Sequence, residues 1–231
     1  MADISIFIQG PLNNVSLSGI PYYQTIGPVI INYWTNDKNE HLLDQYDLEE
    51  CVIVKSPQPS YKLFGNPCND TTTWQFVSIE RALRNVTTKY VIRTRSDESW
   101  GNLQPIVDKF NNNKLKIVCG NIFFKKWIVP YHIGDHLFIG DKNILLKAYH
   151  DILLNPNIYK TGFPEQIAAR AIMKAFLNKP INVESKEDFK EVFDIIDINL
   201  LQPFTAAYQH AKKIYYNEFE FNGIIKSINE I

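Results

Sequence analysis

The sequence predicts an α/β fold, in which helices cover both faces of a central, mostly parallel sheet. Three observations favour this class. Short apolar runs rich in β-branched residues alternate with longer stretches whose apolar residues recur at helical spacing. Turn-forming or charged residues follow directly after most of these runs. The 231 residues, with 45% hydrophobic content, can build one large core, so we expect a single domain over residues 1–231.

The first half of the chain alternates strands with helices. Four apolar runs have the length and β-branching of strands, and they cover residues 4–8, 28–34, 51–55 and 89–95. Helical spacing separates them in a short piece that ends near Tyr23, over 40–46 and over 74–84. Thr71, Thr72 and Thr73 are expected to cap the last of these helices. Because strands joined through helices pair in parallel, this order predicts a parallel sheet.

The second half continues the alternation. A helix over residues 103–110 precedes strands over 116–120 and 122–129 and an extended segment over 131–140. The remaining predicted elements are helices over residues 143–154, from Pro164 onward and over 205–216, and a strand over 192–198. Proline favours the start of a helix because the first turn does not use its missing N–H group.

The composition excludes several classes of function. The net charge is −1, with basic and acidic residues mixed along the chain, so no basic face for nucleic acid is predicted. Cys51, Cys68 and Cys119 form neither a disulfide framework nor a zinc motif, which favours a reducing compartment. The first residues lack the pattern of a signal peptide, and no apolar stretch approaches the roughly 20 residues of a membrane span. We therefore expect a cytoplasmic protein.

Charged residues at the end of the fourth predicted strand form the first candidate site. Tyr90–Ile92 is apolar, whereas Arg93, Arg95, Asp97 and Glu98 follow it closely. In open α/β sheets the ligand crevice lies at the carboxyl ends of the strands. Asp97 can hold a hard divalent ion there that also binds a substrate diphosphate. The alternative is a surface hairpin whose arginines and carboxylates pair locally, with Arg93 only solvating one face of its strand.

Two further groups of polar residues have simpler explanations. His132 and His136 share the spacing of zinc ligands on a helix, but in an extended segment they lie about 13 Å apart at 3.3 Å per residue. We favour contact of Asp135 or His136 with a sugar, and an ordinary charged turn is the alternative. Cations at residues 210–213 can reach a leaving diphosphate, although a solvated helix face is the preferred interpretation.

Six pieces of the chain, taken in order, resemble the WavE-type lipopolysaccharide-synthesis family. The pieces are Ile6–Pro11, Val29–Trp34, Thr73–Gln75, Lys89–Asp97, Gly134–Phe138 and Pro164–Gln166. No piece is decisive alone, and their common order carries the resemblance. It is weakest over residues 180–231.

The resemblance implies a GT-A fold, the three-layer fold of nucleotide-diphospho-sugar transferases, and a glycosyltransferase activity. The implied donor is a nucleotide sugar and the implied acceptor is a hydroxyl of a glycan, a lipopolysaccharide or another lipid-linked saccharide, which leaves peripheral contact with a membrane open. The family usually uses Mn²⁺ or Mg²⁺, held by an Asp-x-Asp motif. Here that motif corresponds to Arg95-Ser96-Asp97, so Asp97 is the implied metal ligand, and Arg95 can itself neutralise phosphate charge.

The resemblance also implies residues for donor binding and catalysis. Donor contacts are expected from Gln9, Gly10, Pro11, Trp34, Gln75, Arg93, Arg95, Asp97 and His136. Glu165, followed by the cation Arg170, stands where the fold places a catalytic carboxylate near a helix start, and Asp135 is the competing carboxylate. Each assignment has a structural alternative. Gly10 fits an ordinary turn, Trp34 fits a core, and a first-turn Glu165 is stabilised by the helix dipole by roughly 0.3–1 kcal/mol.

Two classes of function therefore stand side by side. The first is a metal-assisted, inverting glycosyltransferase in which Glu165 takes the acceptor proton. The second is a non-catalytic module that binds a sugar or a nucleotide, which the incomplete Asp-x-Asp motif allows. A nucleotidyltransferase is the nearest enzyme alternative, but the turn Gln9–Asn13 lacks the cation such a loop would carry. Fold class alone does not decide between them.

Overall fold

The computed structural model describes residues 3–64, 69–121, 133–159, 162–180 and 186–205. The strands in these ranges are β1 Ile4–Gln9, β2 Val29–Trp34, β3 Cys51–Ser56, β4 Tyr90–Arg95, β5 Glu98–Trp100, β6 Ile117–Gly120, β7 Leu137–Asp141, β8 Phe193–Ile196 and β9 Pro203–Thr205. The α-helices are α1 Asn14–Leu17, α2 Ile20–Gln24, α3 Asn69–Asn85, α4 Gln104–Asn112, α5 Lys142–Leu154, α6 Pro164–Leu177 and α7 Lys186–Val192. Short 3₁₀ helices cover Glu40–Gln45, Pro156–Tyr159 and Ile198–Leu201.

A seven-stranded sheet with the order β3-β2-β1-β4-β7-β6-β8 forms the centre of the structure. The pairs β3/β2, β2/β1, β1/β4 and β6/β8 are parallel, whereas β7 is antiparallel to both of its neighbours. A separate two-stranded sheet pairs β5 with β9. The predicted α/β class with a mostly parallel central sheet is confirmed.

The side chains of β1 show why the sheet lies between two apolar layers. Ile4, Ile6 and Ile8 alternate with Phe7, and successive side chains of a strand point to opposite faces. The three isoleucines enter one core, while Phe7 enters the other, and all four are at most 1% exposed. Burial on both faces explains why the strand is a nearly continuous apolar run.

Helices cover each face of the sheet. Residues of α3, α5, α6 and α7 join the core that contains Phe7, whereas α2 and α4 join the core of the three isoleucines. Three of the seven buried residues of α6 are alanines, and this helix packs extensively against α5. The result is the three-layer arrangement expected for the fold class.

The predicted cap of the third α-helix is wrong. Thr71, Thr72 and Thr73 lie inside α3, which begins two residues earlier at Asn69. Thr72 and Thr73 are fully buried, and the hydroxyl of Thr73 accepts a hydrogen bond from the backbone N–H of Leu63 at 3.0 Å. These threonines thus serve tertiary packing, which overrides their preference for a cap position.

Several other predicted boundaries change. The extended segment over 131–140 becomes a strand only at Leu137, and the late strand over 192–198 shortens to β8 because Val192 ends α7. Thr205 lies in β9 and does not start a helix. The predicted strand over 122–129, His132 and the cations at 210–213 lie outside the described residues. No helix in the described ranges is both long and apolar enough to span a membrane.

Candidate active site

A cavity of about 620 Å³ opens at the carboxyl ends of β1, β2 and β4. This volume lies within the range of small-molecule sites, and the edge of the sheet is the one where open α/β folds bind ligands. The cavity brings together most of the predicted site residues, namely Gln9, Gly10, Pro11, Trp34, Gln75, Arg93, Arg95, Asp97, Asp135 and Glu165. His136 is the one predicted site residue that does not line it.

The turn after β1 forms one wall of the cavity. Gly10 has φ +130°, and a Cβ atom added there would lie 2.5 Å from the Ser96 hydroxyl oxygen. A side chain is therefore excluded both by backbone conformation and by space. The turn is fixed from behind, because Asp37 accepts from the Leu12 N–H at 2.7 Å and Asn39 donates to the Leu12 carbonyl at 2.8 Å.

Two tryptophans contribute flat apolar surface. Trp34 ends β2, and Trp74 lies in α3; both are half-buried and line the cavity. The indole N–H of Trp74 donates to the carbonyl of Pro59 at 3.1 Å, which fixes the ring. Trp74 was not among the predicted site residues, although its neighbour Gln75 was, because a helix start does not show which of two successive side chains faces a cavity. Such rings can stack on a base or a sugar.

Arg95 and Asp97 form a two-point ion pair at the end of β4. The Arg95 Nε and Nη2 atoms donate to the two carboxylate oxygens of Asp97 at 2.9 and 2.8 Å. Burial alone would raise the pKa of Asp97, but the hydrogen bond and charge of Arg95, with the charge of His136, hold it below its usual value. The pKa of Arg95 is raised by Asp97 despite burial. Both groups are therefore charged.

Arg93 is buried beside this pair. It lies two residues before Arg95 on the same strand, so both side chains leave the same face of the sheet. Its side chain is 1% exposed, its Nε and Nη2 atoms donate to the Gln9 amide oxygen at 3.2 and 2.6 Å, and its guanidinium lies 5.7 Å from the centre of the Phe138 ring. Burial rules out the alternative that Arg93 only solvates its strand. Its Nη1 atom has no hydrogen-bond partner among the described residues.

Asp135 reaches the cavity because β7 is antiparallel to β4. The pairing of Thr94 with Leu137 places the residues just before β7 beside the residues at the end of β4. Asp135 is 8% exposed and accepts a hydrogen bond from the Gln75 amide at 2.6 Å. Burial alone would raise the pKa of Asp135, but the charges of His136, Arg93 and Arg95 and the Gln75 hydrogen bond lower it to about 2.

His136 lies behind Asp135 and pairs with Glu98. Its Nδ1 atom forms a hydrogen bond with a carboxylate oxygen of Glu98, and its Nε2 atom lies 3.7 Å from Asp135. Burial lowers the pKa of His136, but the charge and hydrogen bond of Glu98 outweigh that effect and raise it. Glu98 was named among the charged residues after the fourth predicted strand, but its pairing with His136 was not predicted, since no local signal shows that strand β5 contacts a residue 38 positions away. His136 thus lies behind the cavity wall and contacts the cavity through Asp135.

Glu165 lies in the first turn of α6 and lines the cavity with half-buried geometry. The helix start is fixed by Gln166, whose side-chain oxygen accepts from the backbone N–H of Phe163 at 3.0 Å. Gly162, just before it, has φ +113°. Arg170, predicted to accompany Glu165, lies farther along α6 and does not line the cavity. Glu165 therefore presents its carboxylate to the cavity from the first turn of α6.

A Mn²⁺ or Mg²⁺ ion at Asp97 fits these residues poorly. Both Asp97 oxygens accept hydrogen bonds from Arg95, so a guanidinium already stands where an ion would bind. The residue two positions before Asp97 is the cation Arg95 and not a second carboxylate. Within the described ranges no three His, Cys, Asp or Glu side chains group as a metal site. The neighbouring carboxylate of the cavity, Asp135, accepts a hydrogen bond from Gln75 and lies in the field of the nearby cations.

Comparison with known proteins supplies similar folds. No protein-family model matches the chain, and no curated protein matches it in sequence. Among solved structures, glucosyl-3-phosphoglycerate synthase from Mycobacterium tuberculosis, in complex with Mn²⁺, UDP and phosphoglyceric acid, is 7% identical and covers 84% of this chain and 68% of its own, with a TM-score of 0.49. The 2-C-methyl-D-erythritol 4-phosphate cytidylyltransferase from Francisella tularensis is 11% identical, covers 81% of this chain and 96% of its own, and has a TM-score of 0.45.

A third similar structure is HddC from Yersinia pseudotuberculosis, which is 11% identical and covers 63% of this chain and 79% of its own, with a TM-score of 0.39. By its name, the first neighbour is a synthase that was crystallised with a nucleotide. The second is a cytidylyltransferase. Likeness at this distance concerns the fold alone. The WavE-type resemblance stays a prediction.

Proposed function

We propose that the chain is a glycosyltransferase that moves a sugar from a nucleoside-diphosphate sugar to a hydroxyl of a glycan or lipid-linked saccharide. One observation carries the proposal. A single cavity at the carboxyl edge of the sheet combines guanidinium groups for a diphosphate, flat tryptophan surfaces for a base or sugar, and the carboxylate of Glu165 for an acceptor proton.

The proposed reaction is an inverting displacement. The acceptor oxygen attacks the anomeric carbon, the bond between that carbon and the phosphate oxygen breaks, and the nucleoside diphosphate leaves with the bonding electron pair. Glu165 takes the proton of the acceptor hydroxyl as general base. The arginines Arg93 and Arg95 stabilise the charge that develops on the leaving diphosphate.

Asp135 is the weaker candidate for the base. Its pKa is lowered to about 2 by His136, Arg93 and Arg95 and by the Gln75 hydrogen bond, against the effect of burial. A carboxylate that resists protonation so strongly accepts a proton poorly at neutral pH. We assign Asp135 to the fixation of Gln75 and of the neighbouring arginines. The tryptophans Trp34 and Trp74 would contact the base or the sugar of the donor.

Substitution of Glu165 by Gln tests the proposed base. Glu165→Gln keeps the shape and removes the basicity, so sugar transfer should fall by about 10²–10⁴-fold while donor affinity survives. The measurements are release of nucleoside diphosphate in the presence of a saccharide panel and calorimetric titration of the donor. Glu187→Gln is the matched control, because Glu187 is also a first-turn glutamate but lies exposed on α7.

Three outcomes decide the assignment. If Asp135→Asn loses transfer and Glu165→Gln keeps it, the base is Asp135. Retention of the anomeric configuration would remove both as simple bases.

A thermal-shift screen with UDP, GDP, CMP and dTDP sugars precedes these assays, since a donor at 100 times its Kd stabilises by roughly 2.7 kcal/mol. Donor binding without any transfer would favour the non-catalytic module.

The wider setting of the reaction stays a prediction. A single domain, a cytoplasmic location, an acceptor in lipopolysaccharide or polysaccharide synthesis and the use of Mn²⁺ or Mg²⁺ by Asp97 are expected from the sequence. The predicted use of a metal ion should be tested first, because such an ion fits poorly at Asp97.

A further inference from the structure

The end of β4 presents two arginine side chains to one cavity. Arg93 and Arg95 are two residues apart on the strand, and both line the cavity next to Gln9 and Gly10. The parallel pairing places Gln9 opposite Arg95, so the turn after β1 lies directly beside the two guanidinium groups. Gly10 carries no side chain, and the Ser96 hydroxyl packs against it, so both residues line the cavity at this turn.

Arg95 keeps donors for a ligand while it is bound to Asp97. A guanidinium has five N–H groups on three nitrogen atoms. The ion pair uses Nε and Nη2, which leaves the Nη1 atom outside the pair with Asp97. The side chain of Arg95 is 36% exposed, so this part of the group is accessible. Asp97 thus fixes the plane and direction of the guanidinium, and the pair does not use the Nη1 donors.

Arg93 has a donor that the described residues leave without a partner. Its Nε and Nη2 atoms share one neutral acceptor, the amide oxygen of Gln9, and its Nη1 atom is buried with no hydrogen-bond partner among the described residues. A buried donor on a charged group costs free energy when it is unmatched. An anionic ligand oxygen in the cavity would supply the missing acceptor.

A divalent ion would meet an unfavourable arrangement at the same place. The two oxygens of Asp97 already face the Arg95 guanidinium, and a second cation bound to this carboxylate would be repelled by the first. Phosphate oxygens, by contrast, match the planar donor geometry of arginine well. The site is therefore built to receive the anion directly.

From this geometry we infer that Arg93 and Arg95 bind the diphosphate of the donor without a divalent cation, and that Asp97 positions Arg95 and ligates no metal. The inference rests on the proposed function, since it names how the same cavity holds a nucleoside diphosphate. It reverses the role that the incomplete Asp-x-Asp motif suggests for Asp97. The leaving-group charge would be neutralised by fixed guanidinium groups.

Calorimetric titration of the whole chain with UDP, GDP, CDP and dTDP, in EDTA and in MnCl₂, tests this inference. We expect at least one nucleotide to bind with the same affinity, within about threefold, in both solutions. Arg95→Ala and Arg93→Met should each weaken that binding by about tenfold or more, the loss expected for a hydrogen bond to a charged group. Arg95→Lys keeps the charge but not the two-point geometry. Its affinity for the nucleotide should lie between the affinities of Arg95→Ala and the wild type.

Asp97→Asn gives opposite results for the two roles of Asp97. If Asp97 positions Arg95, the amide still accepts a hydrogen bond and one negative charge near the diphosphate is removed, so affinity stays or increases. If Asp97 ligates a metal, affinity in MnCl₂ falls. Arg84→Ala is the matched control, since Arg84 is a largely exposed arginine of α3 outside the cavity. Circular dichroism confirms that each variant is folded.

The outcomes separate the inference from the proposed function. Binding that requires Mn²⁺ and disappears in Asp97→Asn overturns the inference and leaves the glycosyltransferase standing. Binding that is indifferent both to Mn²⁺ and to the arginine substitutions also overturns it. Absence of binding by every nucleotide in both solutions removes the inference together with the proposed function.

Discussion

The two ends of the β4–β7 strand pair differ sharply in chemistry. At one end Val91 and Ile92 lie opposite Gly140 and Ile139, and all four positions are buried and apolar. Toward the other end Arg93 lies opposite Phe138, and charged residues lie beyond this pair, after β4 and before β7. One pair of strands therefore joins a core to a binding site over a distance of a few residues.

The difference teaches how this site is supported. Apolar side chains stabilise by burial alone, whereas buried charges are tolerated only where other charges and hydrogen bonds surround them. Arg95 is matched by Asp97, and His136 is matched by Glu98. We therefore expect the loss of side-chain volume to lower the stability at the apolar end. At the charged end, the loss of one member of a charge pair should lower it.

Removing one partner of the His136–Glu98 pair should have the largest effect. His136→Leu leaves the Glu98 carboxylate, which is 1% exposed, without its cation, so the free energy of unfolding should fall by about 3–5 kcal/mol. Urea denaturation at pH 6 measures it. The double variant His136→Leu/Glu98→Leu should recover most of the loss, because it leaves no unmatched charge. A double variant no more stable than His136→Leu would contradict the explanation that an unmatched Glu98 carboxylate causes the loss.

Truncation at the apolar end should follow in size. Ile92→Ala removes a fully buried side chain and should lower the free energy of unfolding by about 2–5 kcal/mol. Ile53→Ala is the same substitution on the edge strand β3, where the side chain is 41% exposed, and should cost about 1 kcal/mol or less. Equal losses in the two variants, measured by urea denaturation, would contradict the burial that separates these strands.

The smallest effect is a gradual dependence of stability on pH that belongs to the charged end. The pKa of His136 in the folded protein is raised above its unfolded value of about 6.5, because Glu98 outweighs burial. The stability that protonated His136 contributes is complete below that unfolded value and is lost as pH rises through the folded pKa. The stability difference between wild type and the double variant should therefore decrease from pH 6 to pH 9. A difference that increases over this range would contradict the raised pKa.

Local sequence patterns predicted much of the fold. The first four strands were placed within two residues of their bounds, since each is a short β-branched run that ends in polar residues. Helix α7 was missed because it is short and buries only Phe189 and Val192. Strands β5 and β9 were missed because three-residue strands have no periodicity and their pairing joins distant parts of the chain.

The sequence predicted which residues line the site better than it predicted how they contact one another. The order of motifs named most of the residues that line the cavity, including Gln75 and Glu165. It did not show that Arg93 is buried or that Glu98 holds His136, because such contacts arise from the antiparallel insertion of β7. It also did not show that Arg95 takes both oxygens of Asp97, which depends on side-chain geometry that spacing leaves open.

The position of β7 in the sheet has a consequence for assembly during synthesis. Among the described strands, β7 is the one that hydrogen-bonds to β4 on one side and to β6 on the other. The ribosome delivers β6 before β7, so β6 cannot join the first four strands when it emerges. Until residue 141 has left the ribosome, β4 keeps an open edge, and open edges invite pairing with other chains. The strand that places Asp135 beside the cavity is thus also the strand that joins β6 to the first four strands.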